Sequence, residues 1–217
     1  MEKWYKMKPR FYFDPAEAVA HLRRSDAVLA EMMDRVGSFA LELRPMEDLF
    51  EAMLRLIVYQ QLHGKAAKSI HGRVVAELRP HGGVTPDALL KVSDAALRAA
   101  GLSANKLLAI RDMALKSREG VVPGLKEAHK LDDAELILRL TEVRGIGPWT
   151  VQMLLIFYLG RPDVWPTGDF AIRQAFKRLY KKRKDPTAEA MVKHARRWQP
   201  FRSVATWYLW RSLDTEL

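Results

Sequence analysis

Two short stretches of this chain set a turn suited to holding an anion before a carboxylate that could do chemistry. Leu140-Thr-Glu-Val-Arg-Gly145-Ile-Gly147-Pro-Trp-Thr-Val reads as a helix, a tight Gly-Ile-Gly hairpin and a second helix opening at Pro148. Glycine tolerates so sharp a turn, and proline suits a first helical position because it has no N–H to satisfy. The amides of Gly147 and its neighbours then point outward at a helix N-terminus, where unpaired N–H groups and the helix dipole favour an anion. Asp169 follows in Trp165-Pro-Thr-Gly-Asp169-Phe-Ala-Ile-Arg-Gln. A carboxylate at a helix start commonly just caps it. It can also stand where a substrate reaches it and stabilise oxocarbenium-like charge as a glycosidic bond breaks. Asp163, between Pro162 and Val164, is the competing carboxylate of this loop and reads as a turn residue.

The charge balance names the anion. Lys and Arg number 36 against 26 Asp and Glu, a net charge of +10, which favours a polyanionic partner. Nucleic acid is favoured over membrane, because no uninterrupted apolar run is long enough to span a bilayer. With 217 residues, 48% of them hydrophobic, the chain can bury a real core in one domain or two small lobes. The absence of cysteine excludes a disulfide, a thiolate zinc site, an iron–sulfur cluster and a cysteine nucleophile. His21, His63, His71, His81, His129 and His194 show no metal-ligand spacing, so metal catalysis is not expected. Met1-Glu-Lys-Trp-Tyr-Lys-Met-Lys lacks the apolar stretch of a signal peptide, and a cytoplasmic location is expected.

The elements that must position these residues read as helices almost throughout. Start signals stand at Asp14-Pro15-Ala-Glu17, Thr85-Pro86, Ser93, Ser103, Asp132-x-x-Glu135 and Asp185-Pro186. Apolar residues recur at threes and fours, as in Leu49, Met53, Leu56, Ile57 and in Leu136, Leu140, Val143. No period-two run of useful length appears, and Pro123 stops Val121-Val122. The predicted fold is all-α, with roughly ten short helices. Gly82-Gly83 and the Gly120–Gly124 stretch are breaks and not flexible linkers. Residues 1–217 are expected to form one compact unit of two interlocked helical lobes with a groove between them, the hairpin motif lying at about 136–160. The one charge run, Lys177 to Lys184, reads as a solvated face or as support for a DNA backbone.

Gly145-Ile-Gly147-Pro-Trp-Thr150 followed by Asp169 resembles the helix-hairpin-helix–Gly/Pro–Asp (HhH-GPD) superfamily of DNA glycosylases, and within it the 3-methyladenine DNA glycosylase II (AlkA/Mag type) branch. Leu56-Ile-Val-Tyr-Gln60-Gln61-Leu62-His63-Gly-Lys65 is similar to that branch's Gln-Gln helix–loop–helix. Gly101-Leu-Ser-x-x-Lys106 resembles its next helix start, and Trp198-Gln-Pro-Phe-Arg202 through Trp210-Arg211 its closing helix.

The resemblance implies a monofunctional DNA N-glycosylase that flips alkylated bases, chiefly 3-methylated purines, out of double-stranded DNA and leaves an abasic site. Asp169 would be catalytic, and Gly145, Gly147 and Thr150 would form the phosphate-binding hairpin. Bifunctional members carry a lysine at the position of Trp149, so strand cleavage through a Schiff base is not expected. At this length the extra N-terminal β-rich domain of some bacterial members is not expected. The loop Gln60–His63 reads from the residues alone as an ordinary polar turn. By resemblance it enters the minor groove, with Gln61 or Leu62 as the wedge and His63 touching neighbouring groups.

Trp149, Met153 and Trp210 are the base-pocket candidates, since an indole attracts a cationic alkylated purine. Trp207 and Trp210 share a helix face, with Tyr208 turned away. Trp198 and Trp207 read as core. Lys65 is expected at phosphate, and Arg202 packing the catalytic loop. No organic cofactor is implied; a monovalent cation at the hairpin carbonyls is optional, and the protein is expected to act as a monomer. The rival reading is a non-catalytic DNA-binding module, which would need neither Asp169 nor an aromatic pocket.

Overall fold

A computed structural model describes residues 10–62 and 64–214, so the contact expected of His63 lies outside the described residues. The architecture is all-α: thirteen α-helices and two 3-10 turns, with no strand among the described residues. No helix there is long and apolar enough to cross a membrane.

The described residues divide into two compact units, one of residues 45–154 and one of residues 10–44 together with 155–214. The first holds α3 (Leu49–Tyr59), α4 (Gly64–Leu78), α5 (Pro86–Lys91), α6 (Asp94–Ala99), α7 (Ala104–Arg118), α8 (Leu125–Ala128) and α9 (Asp133–Thr141). Its helix α7 is the central one, packed by α3, α5 and α6. Leu49, Met53, Ile57, Ile110, Met113, Leu136 and Leu140 are completely buried. Each such side chain contributes about 1.5–3 kcal/mol by leaving water. Leu56 is half-buried, and Leu54 takes the buried place beside Met53.

The second unit gathers α1 (Pro15–Ser25) and α2 (Ala27–Val36) with α11 (Phe170–Leu179), α12 (Ala188–Ala195) and α13 (Arg202–Ser212). Leu22, Leu29, Met33, Phe176, Trp198 and Tyr208 lie in its core, and α13 packs against α1, α2 and α11. Helix α10 (Pro148–Phe157) carries the chain from the first unit to the second.

Side-chain caps start the helices where the sequence signals them: Asp14, Thr85, Ser93, Ser103 and Asp132 each accept a backbone N–H two or three residues on. The signal at Asp185-Pro186 is displaced. Helix α12 opens at Ala188 with Thr187 as its cap, because the Asp185 carboxylate is taken by Lys177 Nζ at 2.7 Å. The remainder of the charge run, Lys181 to Lys184, is exposed beyond the end of α11.

Asp26, which caps α2, is a heavily bonded carboxylate of the second unit. It accepts from the Leu29 N–H at 3.1 Å, Tyr180 Oη at 2.8 Å and Trp198 Nε1 at 3.1 Å, with His194 Nε2 at 3.1 Å. Burial alone would raise its pKa. The hydrogen bonds from His194, Leu29, Tyr180 and Trp198 outweigh that and hold it far below the ordinary carboxylate value. The Tyr180 hydroxyl is pushed up, first by burial and then by Asp26.

Candidate active site

In the first unit, α9 ends at Thr141 and α10 begins at Pro148, with the hairpin between them. Gly145 adopts φ +75°, a left-handed conformation that favours glycine. Ile146 is buried and its N–H donates to the Val143 carbonyl at 3.0 Å. Asp112, on α7, accepts the Arg144 N–H at 2.7 Å and pairs with Lys116 Nζ at 3.0 Å, and Lys116 also donates to the Glu142 carbonyl. Burial of Asp112 is outweighed by these donors, which hold its carboxyl below the ordinary range.

Gly147 is a different case. Its backbone lies outside the left-handed region, and an added Cβ would meet nothing within 4 Å. The fold therefore does not require glycine there, and the side-chain position stands open to an approaching ligand.

Thr150 corrects an expectation. It is 3% exposed, and its Oγ1 accepts from Gln60 Nε2 at 3.0 Å, so its hydroxyl braces the hairpin from beneath and does not face a phosphate. The open part of the motif is the backbone around Gly147. The carbonyls of Glu142, Val143, Gly145 and Gly147 each accept a bond from the chain itself, the first from an ammonium.

The loop after α3 is held in the same unit. Gln61 has φ +55° and is exposed, and Leu62 is 39% exposed. Gln60 Nε2 also donates to the Gly145 carbonyl at 3.2 Å, which ties the loop to the hairpin. Lys65 is exposed at the second position of α4.

In the second unit Asp169 caps α11, Oδ1 accepting the Ile172 N–H at 2.9 Å and Trp210 Nε1 at 3.3 Å. The residue is 8% exposed. The loop leading to it is fastened to the start of α13. Arg202 grips Asp163 through Nε at 2.6 Å and Nη2 at 2.8 Å. Ser203 Oγ donates to the Arg161 carbonyl at 2.6 Å and accepts the Val164 N–H at 2.9 Å. Trp165 is buried edge-on against Trp198, ring centroids 5.2 Å apart. Asp163 is thus committed to structure, paired with Arg202 at the start of α13.

Trp210 is half-buried and stacks on Phe157 at 5.4 Å and 18°. Trp207 instead packs edge-on against both Phe39 at 5.0 Å and Tyr208 at 4.9 Å. Trp207 thus lies in the core, as its reading there expects, and Phe39 packs against both Trp207 and Tyr208. Phe157 escaped the sequence reading. Its signal was spacing: Trp149, Met153 and Phe157 stand at i, i+4 and i+8 of α10 and share one stripe. Along that stripe Trp149 is 41% exposed, Met153 is buried and Phe157 half-buried.

Residues 54–200 match the family described as HhH-GPD superfamily base excision DNA repair protein. The chain is 37% identical over 198 residues to DNA-3-methyladenine glycosylase 1 of Schizosaccharomyces pombe, covering 90% of this chain and 86% of that protein. It is similar to the solved structure of the 3-methyladenine DNA glycosylase Mag1 of that yeast in complex with abasic DNA. There the TM-score is 0.76 and the identity 36%, over 89% of this chain and 95% of the other. A Bacillus halodurans DNA-3-methyladenine glycosidase structure matches with TM-score 0.79 and 32% identity, over 94% and 91% of the two chains.

Proposed function

Because this chain belongs to the HhH-GPD superfamily of base excision DNA repair proteins, we propose that it is a monofunctional DNA N-glycosylase that excises alkylated purines. The observation that carries the reading is the Asp169 carboxylate, held at the start of α11 by two donors beside the stacked faces of Trp210 and Phe157. The names of the relatives, 3-methyladenine glycosylases in each case, support the lesion class.

Alkylation at N3 or N7 makes a purine cationic and already a good leaving group, so protonation of the base contributes little. The barrier lies in the charge that develops on the deoxyribose. Asp169 supplies a fixed anion to stabilise that charge and to orient the attacking water. The electron-rich face of Trp210 attracts the cationic base, worth about 0.5–2 kcal/mol, and discriminates against neutral purines. Trp149, exposed on α10, is the further aromatic candidate for the base. Trp149 also occupies the position at which lyase members carry a lysine, so the product is an intact strand with an abasic site.

On the DNA side, the hairpin amides around Gly147 take a backbone phosphate, with Lys65 a second phosphate contact. Leu62, with Gln61, fills the gap left by the flipped nucleotide. The protein acts in the cytoplasm, as a monomer, on double-stranded DNA.

The test compares wild type with Asp169→Asn on methylated duplex DNA, resolving heat- and alkali-dependent breaks. Asparagine caps helices as well as aspartate does, so the fold is kept. Alkali-dependent breaks from wild type alone support the reading. Equal breaks from both displace Asp169 from catalysis, and tight binding without breaks from either protein leaves a non-catalytic binding module.

A further inference from the structure

We propose that Lys106 is a positioning residue for base flipping, holding the Gln61-Leu62 turn rigid so that Leu62 enters the duplex without yielding. The inference rests on the wedge role proposed above for that loop.

Helix α3 ends at Tyr59, and its last carbonyls have no donor within the helix. Lys106 Nζ donates to two carbonyls of this end, Val58 and Gln60, at 2.7 Å each. A lysine ammonium offers three donors from one compact centre, so it can close on two carbonyls at once, and its charge complements the negative end of α3. The side chain reaches there from the first turn of α7, which Ser103 caps and which packs against α3. Burial lowers the Lys106 pKa, and both of its described partners are neutral carbonyls. This is not an ion pair placed for surface charge; it is a fastening of backbone.

What it fastens is a strained turn. Gln61 stands immediately after the gripped Gln60 carbonyl, in a left-handed conformation that costs a non-glycine residue roughly 1–2 kcal/mol. A turn of that kind persists only when its surroundings over-determine it. Gln60 meets this condition twice over. Its carbonyl is held by Lys106, and its side-chain amide bonds to the Gly145 carbonyl and Thr150 Oγ1 of the phosphate hairpin. The wedge loop and the phosphate hairpin therefore share one mount. Insertion of Leu62 pushes against a backbone already fixed to the residues that hold the phosphate, so the push is delivered to the base stack and not absorbed by the loop.

The experiment is single-turnover excision of one alkylated purine in two settings: fully paired in a duplex, and opposite an abasic-site analogue, where little pairing has to be broken. Leu62→Ala, Lys106→Met and Gln61→Gly are compared with wild type, with thermal unfolding of each as the fold check. Lys106→Met keeps the aliphatic stem and removes the donors; Gln61→Gly frees the turn without touching the contact between α3 and α7. All three are expected to slow excision from the paired duplex by about tenfold, and from the unpaired setting by no more than about twofold. Selective loss in Leu62→Ala but equal or no loss on both substrates in Lys106→Met overturns the role of Lys106 and leaves the wedge standing. If Lys106→Met does not fold, Lys106→Gln, whose shorter amide cannot close on both carbonyls, decides, and an unchanged ratio between the substrates overturns the proposal. An unselective Leu62→Ala removes the wedge reading itself and the proposal with it.

Discussion

The indole N–H of Trp210 and the backbone N–H of Ile172 converge on the same oxygen of Asp169, at 3.3 and 2.9 Å. Two donors from different helices fix the plane of one carboxylate, and one of those donors belongs to the ring proposed to face the base. Trp210→Phe keeps an aromatic face and removes the donor. Single-turnover excision of an alkylated purine is expected to fall about tenfold, the cost of one hydrogen bond to a charged group. A rate equal to wild type would show that the indole N–H has no part in orienting Asp169.

The two hairpin glycines are expected to part company. Gly145→Ala forces a side chain into φ +75° and should lower stability by about 1 kcal/mol, read by chemical denaturation. Gly147→Ala meets no neighbour within 4 Å and should leave stability within about 0.5 kcal/mol of wild type. Its affinity for duplex DNA, measured by fluorescence anisotropy at fixed salt, should nevertheless drop several-fold, because the methyl group intrudes where a phosphate comes close. Unchanged affinity would remove Gly147 from the interface.

Arg202 and Asp163 form a two-pronged pair beneath the loop that presents Asp169. Arg202→Lys retains the charge but not the fork, and should cost about 1–2 kcal/mol of stability. It should also lower the excision rate more than it weakens DNA binding, since what loosens is the carboxylate's mount. Equal losses in the two measurements would assign the pair to general stability.

Asp26 contributes an acid dependence to the stability of the second unit. Its folded pKa lies below the ordinary value of 3.8, so its stabilising contribution is complete above that value and is lost as pH falls through the folded one. Asp26→Ala orphans the Trp198 and Tyr180 donors and removes the cap of α2. A loss on the order of 3 kcal/mol is expected at pH 7, shrinking as unfolding is followed from pH 4 downward. A difference that stays constant over that range would show that the carboxylate charge is not what stabilises.

The sequence by itself determined the helical class, most helix starts, the hairpin and the position of Asp169, because each of these is local. A cap needs only a side chain and the amides two or three residues on, and a Gly-x-Gly-Pro turn is set by backbone sterics within a few positions. Its failures were of range. Asp185 looked like a cap until Lys177 took it, and Thr150 looked like a phosphate ligand until Gln60 reached it from a different helix. Phe157 and Lys106 acquired their places only through Trp210 and the carbonyls at the end of α3. Tertiary structure decided these because a side chain's partners depend on which helices pack together, and packing joins residues that no spacing along the chain relates.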